Sequence, residues 1–201
     1  MIGSTHFWQS LILMATKMAY SLLQFVADLR SITAAAADER DILRQVAPLV
    51  ERLAGNPDLQ NQAPIALNVE NGLSFGLLHE EPDHTLAVAL LRWLPSGATL
   101  PHNHGTWGIV VGLEGAEKNI FWRRSDDGSR AGYAQLERVG VMDCVLGRAV
   151  VLPNSIIHSV ENTTDEPSVS LHVYGKNVYY TDRSHFDIVN RRELPWSKKP
   201  S

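Results

Sequence analysis

Near the start of the chain, apolar side chains recur every three or four residues. Phe7, Leu11, Met14, Met18, Leu22, Phe25 and Leu29 form one stripe, with Gln9, Lys17 and Gln24 on the polar side, which predicts an amphipathic helix over Ile2–Leu29. A second helical pattern runs from about Asp38 to Leu53, where Ile42, Val46, Leu49, Val50 and Leu53 share a side and Gly55-Asn56-Pro57 ends it. Pro48 predicts a kink or break in it, because proline lacks a backbone donor and crowds the preceding turn. Met and aromatic residues at helical spacing are the ordinary mark of core packing, so both helices read as scaffold.

After Pro64 the period shortens. Short β-favouring segments cover 65–69, 73–79, 86–94, 99–104, 107–113, 118–123, 133–138, 141–145, 149–152, 156–161 and 168–174. Turn-rich stretches such as Glu81-Pro82-Asp83, Pro95-Ser96-Gly97 and Ser125-Asp126-Asp127-Gly128 separate them. No ten-residue helical pattern intervenes, so the expected fold is mainly β, a sandwich or barrel preceded by N-terminal α-helices. The polar tail, with Arg191, Arg192, Lys198 and Lys199, is expected to lie against the barrel or loose in solvent. The expected organisation is one domain over 1–201: a helical scaffold in 1–60, a barrel in 61–175 and a C-terminal arm in 176–201.

Composition narrows the partners. With 18 basic and 22 acidic side chains and a net charge of −4, nothing marks a nucleic-acid footprint or disorder. Gln9, Lys17, Gln24 and Asp28 interrupt the apolar opening segment, so it reads as a soluble helix with no membrane partner. The single Cys144 forms no internal disulfide and fits a reducing, cytoplasmic setting; in Val141-Met142-Asp143-Cys144-Val145 it reads as buried filler. The sequence does not fix an oligomeric state.

The candidate chemistry sits in Pro101-His102-Asn103-His104-Gly105. On an extended strand His102 and His104 point to the same side and Asn103 to the other. A turn at Pro153-Asn154-Ser155, between two β-branched runs, brings a third imidazole, His158, within reach if the strand returns beside the first. Neutral imidazoles suit Fe, Zn, Cu or Ni, and three of them leave coordination positions open. A further strand, Ser170-Leu171-His172-Val173-Tyr174, alternates polar and apolar residues, so its polar face is expected to line an interior site as a hydrogen-bonded relay.

Gly97-x4-His102-x-His104, followed by Gly147-x5-Pro153-x-Ser155-x2-His158-x3-Asn162, resembles the paired motifs of the cupin superfamily. That likeness implies a double-stranded β-helix barrel, or jelly roll, holding a metal. The acidic ligand of many cupins is missing: Gly108 and Ile109 occupy its usual positions, and Glu114 lies too far along the strand, leaving three neutral ligands with no carboxylate nearby. With the Ser170-x-His172-x-Tyr174 run, the chain is similar to the thiol dioxygenases, the family of cysteine and 3-mercaptopropionate dioxygenases. The resemblance implies Fe(II) on His102, His104 and His158, no organic cofactor, and Ser170, His172 and Tyr174 as catalytic relay. It also implies dioxygen and a small carboxylated thiol as substrates, with a sulfinic acid as product.

Residues 60–91 contain no arginine to hold a cysteine carboxylate, whereas Arg183 follows His172 as it does in the mercaptopropionate branch, so a 3-mercaptopropionate-like substrate is favoured over cysteine. Trp107 is a candidate pocket wall and His79 a candidate pocket residue on an upstream strand. The cysteine–tyrosine crosslink of the eukaryotic enzymes is not expected, because Gly105-Thr106-Trp107-Gly108-Ile109 carries no cysteine. The competing readings are a metal-dependent cupin enzyme of another reaction type, such as a non-thiol dioxygenase or isomerase, and a non-catalytic ligand-binding cupin.

Overall fold

Ser21 opens the first helix, α1 (Leu22–Ala35): its hydroxyl accepts the Gln24 amide at 3.2 Å while the Gln24 side chain accepts the Ser21 amide at 3.0 Å. The computed structural model describes residues 20–59 and 72–196, so the expected helix before Tyr20 and the expected strand at 65–69 lie outside the described residues. The cap starts a helix at Leu22, inside the stretch the apolar stripe reads as continuous, and carries it past Leu29 to Ala35. The second helix, α2 (Glu39–Ala54), is capped by Asp38, whose carboxylate accepts the Asp41 amide at 2.8 Å. Of the expected kink or break at Pro48, the break does not occur: α2 runs through it as one helix. Its lost hydrogen bond is outweighed by Leu43, Val46, Val50 and Leu53, which are all buried against the sheet.

The strands are β1 (Leu73–His79), β2 (Thr85–Trp93), β3 (Gly108–Glu114), β4 (Glu117–Arg124), β5 (Leu136–Cys144), β6 (Ala149–Leu152), β7 (Ile157–Glu161), β8 (Ser168–Lys176), β9 (Ser184–Asp187) and β10 (Arg192–Pro195). They pair antiparallel in a five-stranded sheet ordered β1-β2-β8-β3-β6, a three-stranded sheet ordered β5-β4-β7, and the β9-β10 hairpin. From β3 to β8 the chain passes back and forth between the two larger sheets, which is the winding of a cupin jelly-roll barrel.

Two interior clusters join these sheets. One combines Ala89, Leu91 and Trp93 with Val160; the other combines Val110, Val150 and Leu152 with Cys144 and Phe121. The opposite face of the large sheet, through Val88, Leu90, Ile109, Val111, Leu171 and Val173, packs on Phe25, Leu29, Val46 and Val50 of the helices. Covered on both faces, β2 and β8 are buried along most of their length.

Two expectations change, and a third is narrowed to one of its two alternatives. The segments at 133–138 and 141–145 meet in one strand, β5, because pairing with β4 carries across Gly140, with a bulge at Val139 between the Phe121–Gly140 and Trp122–Arg138 pairs. The segment 99–104 is extended but joins the sheet only through isolated bridges, with Thr99 donating to Val160 at 2.9 Å. The tail is not loose up to Trp196: Phe186 donates to the Pro101 carbonyl at 2.8 Å and Asn103 to the Ser184 carbonyl at 3.1 Å, which pins the hairpin to the histidine segment. Among the described residues, no helix is long and apolar enough to cross a membrane.

Candidate active site

His102 and His158 exchange backbone hydrogen bonds at 2.8 and 2.9 Å, so a one-residue bridge registers the two histidine segments against each other. Gly105 then turns the chain with φ +63°, and a Cβ there would meet the Asp182 carbonyl oxygen at 2.9 Å. That turn brings the His104 carbonyl to the Thr181 hydroxyl, which donates to it at 2.6 Å. All three imidazoles are buried, and each offers a ring nitrogen within 4.8 Å of the others.

The outer nitrogens set two of the tautomers. His102 Nδ1 donates to the Leu100 carbonyl and His158 Nδ1 to Asn119 Oδ1, both at 2.9 Å, which leaves each Nε2 with a lone pair. His158 Nε2 lies 3.2 Å from His104 Nε2. Two ligands on one metal with bonds of ~2.1 Å stand ~3.0–3.4 Å apart at right or tetrahedral angles, so this spacing fits a shared cation. Burial pushes the His102 pKa down to about 4 and those of His104 and His158 well below the usual range, and the neighbouring imidazoles and Arg183 add to the effect. The rings are therefore neutral, as metal ligands must be. His104 Nδ1 is buried without a partner.

Beside them lies β8. Ser170, His172 and Tyr174 all face the interior, linked by Ser170 Oγ to His172 Nε2 at 2.8 Å and His172 Nδ1 to Tyr174 Oη at 2.7 Å. The Tyr174 ring stands 5.1 Å from the His104 ring. Small residues make room: Ala87 and Gly108 flank Tyr174, and a Cβ at Gly108 would touch its ring at 3.0 Å. Burial lowers the His172 pKa to about 3 and raises that of Tyr174 above the usual phenol range, so both are neutral.

Arg183 is half-buried, its guanidinium 4.1 Å over the Trp196 ring, and that ring is 5.4 Å from His102. Among the described residues no carboxylate forms an ion pair with it. Its charge acts on His102, His104 and Tyr174, and burial lowers its own pKa.

Two other candidates lie elsewhere. Trp107 shares the side of Ile109 and Val111, in the cluster against the helices, while Val110 faces the interior; its indole packs over Gly175. His79 bonds Glu81 Oε1 at 2.9 Å, and Arg30 holds the same oxygen at 2.7 Å, at the β1–β2 turn.

Among the described residues the metal-binding trio includes no carboxylate, in line with the sequence, but the sequence reading missed a buried carboxyl beyond the relay, Glu117. At the start of β4 it shares the inward face with Asn119, is 2 % exposed, and accepts from Ser168 Oγ at 3.3 Å. Ser170 and Trp93 also face its carboxyl and favour the charged form. Neither reaches full hydrogen-bond geometry, since Glu117 Oε2 and Trp93 Nε1 lack partners. Desolvation dominates and pushes its pKa up to about 7. The signal for it was the alternation Glu117-x-Asn119, which a strand starting at Lys118 leaves out.

No protein-family model matches the chain. Partial structural overlaps exist with an oxalate oxidase (15% identity, TM-score 0.42, 54% of this chain and 53% of that one) and with oxalate decarboxylase from Bacillus subtilis (24%, 0.42, 59% and 28%). A third is the 7S globulin of Momordica charantia (11%, 0.44, 58% and 33%). The chain thus spans about half the length of the oxalate oxidase it matches. The strand order and the barrel interior described above carry the assignment of the cupin fold, and the buried histidine trio makes this end of the barrel a candidate metal centre.

Proposed function

We propose that the chain is a non-haem iron thiol dioxygenase, which adds both atoms of O2 to the sulfur of a small carboxylated thiol to give a sulfinic acid. A 3-mercaptopropionate-like substrate is favoured over cysteine. The observation that carries the reading is that three neutral imidazoles, a phenol held by a hydrogen-bonded relay and a guanidinium without a carboxylate partner meet at one end of the barrel.

His102, His104 and His158 would hold Fe(II), and the metal when bound supplies the redox chemistry with dioxygen. The balance RSH + O2 → RSO2H needs no external reductant and no organic cofactor. Ligands that bring no negative charge leave room for an anionic sulfur, so a thiol is taken up as its thiolate. Arg183 would grip the substrate carboxylate with its planar fork, while Trp196 stacks on the guanidinium and fixes its plane. Tyr174 would hold a proton at Oη beside the reacting groups, with His172 orienting the phenol and Ser170 orienting His172. The buried free thiol of Cys144 is in keeping with a cytoplasmic setting.

Arg183 also favours a second reading, a metal-dependent cupin enzyme acting on a non-thiol carboxylate, since a guanidinium selects the carboxylate and is indifferent to sulfur. The test is oxygen uptake and sulfinate formation by protein loaded anaerobically with Fe(II), offered 3-mercaptopropionate, cysteine, cysteamine, mercaptosuccinate and oxalate. Sulfinate from the carboxylated thiols is expected. None from any thiol overturns the dioxygenase reading, and turnover of oxalate alone establishes the second. Arg183→Ala should raise KM for 3-mercaptopropionate about ten- to hundredfold, the worth of a charge-assisted hydrogen bond. An unchanged KM removes the arginine from the site.

A further inference from the structure

The hydrogen bonds of the relay run from Tyr174 through His172 to Ser170. Behind it, on the side away from the three histidines, lies the carboxyl of Glu117, on β4, facing Ser170 and Ser168 of β8 and Trp93 of β2. The titratable group beside it is Cys144, its cross-strand neighbour on β5, whose thiol burial holds protonated. Among the described residues no basic side chain forms an ion pair with Glu117. A sealed carboxyl without a cation is costly, so its placement against a serine already bonded to His172 calls for a role.

We propose that Glu117 is the terminal proton acceptor of the Ser170–His172–Tyr174 chain, receiving the proton that a substrate thiol gives up beside Tyr174. The inference rests on the thiol dioxygenase reading for the source of that proton, and for its path on the two hydrogen bonds of the relay and on the buried Glu117 carboxyl held by Ser168, one strand-repeat from Ser170. Neutral His172 carries one ring proton with a hydroxyl at each nitrogen, so its tautomer and both hydroxyl directions are coupled. With Glu117 ionised, Ser170 donates to the carboxylate, His172 Nε2–H donates to Ser170, and Tyr174 donates to His172 Nδ1. The phenol oxygen then presents a lone pair to the site.

When a thiol loses its proton, the S–H bond breaks and that proton forms a new bond to Tyr174 Oη. The old phenol proton passes to His172 Nδ1, the Nε2 proton to Ser170, and the Ser170 proton to Glu117. The products are a thiolate, a neutral carboxylic acid and the other His172 tautomer, with every hydrogen bond in the wire reversed. Tyr174 now points a donor at the site. No electron changes hands, and no charged imidazolium is needed at a position where burial forbids one.

The test is nitrogen NMR of the His172 ring in full-length protein with Zn(II) added, together with the carbon shift of the Glu117 carboxyl, across pH 5–9. In the wild type the ring proton should sit on Nε2 above about pH 7 and on Nδ1 below it, with the Glu117 carbon moving at the same midpoint. In Glu117→Gln the ring should keep one tautomer at every pH. Should that variant fail to fold, Ser170→Ala should leave Glu117 titrating while His172 no longer follows it. A ring that is invariant in the wild type, or that still crosses in either variant, overturns the proposal. Sulfinate formation with an invariant ring removes Glu117 alone. A crossing ring without sulfinate from any thiol leaves the wire and removes the substrate.

Discussion

The desolvation that makes Glu117 useful also destabilises the fold as pH rises. Its carboxyl titrates at an ordinary 4.5 when unfolded and at about 7 when folded, so between those values the native chain binds more protons than the unfolded one. Stability from this group is complete below pH 4.5 and lost as pH climbs through 7, a change of roughly 3 kcal/mol. Glu117→Gln should therefore be more stable than wild type at pH 8 and lose most of that advantage at pH 5, measured by urea unfolding. Equal advantage at both pH values would mean that the carboxyl is not desolvated. Individual side chains were unequally legible: His102 and His104 follow from two-residue alternation on an extended segment, whereas Glu117 hid because its strand begins one residue earlier than its β-favouring composition suggests.

Among the elements, β8 is the one that unites packing and chemistry. Leu171 and Val173 face the helices while Ser170, His172 and Tyr174 face the barrel, so one strand anchors the scaffold and carries the relay. Helix α2 supports it from behind and is tied to the rim of the barrel, where Glu51 accepts the Ala149 amide and Glu39 the Asn154 amide, both at 3.0 Å. Asp38 starts that helix, and Asp38→Ala should cost about 1 kcal/mol in chemical denaturation without changing metal affinity. A change in metal affinity would show that the helix start is coupled to the site. The β9–β10 hairpin was not legible as such, because its strands are only four residues each and its anchors at Pro101 and Asn103 lie far away along the chain.

At the scale of the whole molecule, four buried neutral histidines oppose one buried acid. His102 and His172 have folded pKa values of about 4 and about 3, and those of His104 and His158 are also well below the ordinary 6.5, so the unfolded chain binds the extra protons as pH falls below that value. Their contribution is full above pH 6.5 and lost below it. Metal-free protein should consequently unfold at lower urea concentration at pH 5 than at pH 7.5, even though Glu117 pulls the other way. Adding Fe(II) anaerobically, or Zn(II), at a hundred times its Kd should stabilise the fold by about 2.7 kcal/mol at pH 7.5, and His102→Ala should abolish most of that gain. No thermal shift with either ion would remove the metal centre. The sequence by itself determined the helices-then-strands order, the alternation that aims each histidine and the polar face of β8, because period and turn chemistry are local properties. Only the tertiary structure decided that Trp107 turns to the helices, that Arg183 and Trp196 meet beside His102, and that the Glu117 carboxyl is buried against Ser168. Those placements depend on which strands become neighbours across the barrel, and contact between distant segments leaves no periodic trace in a single chain.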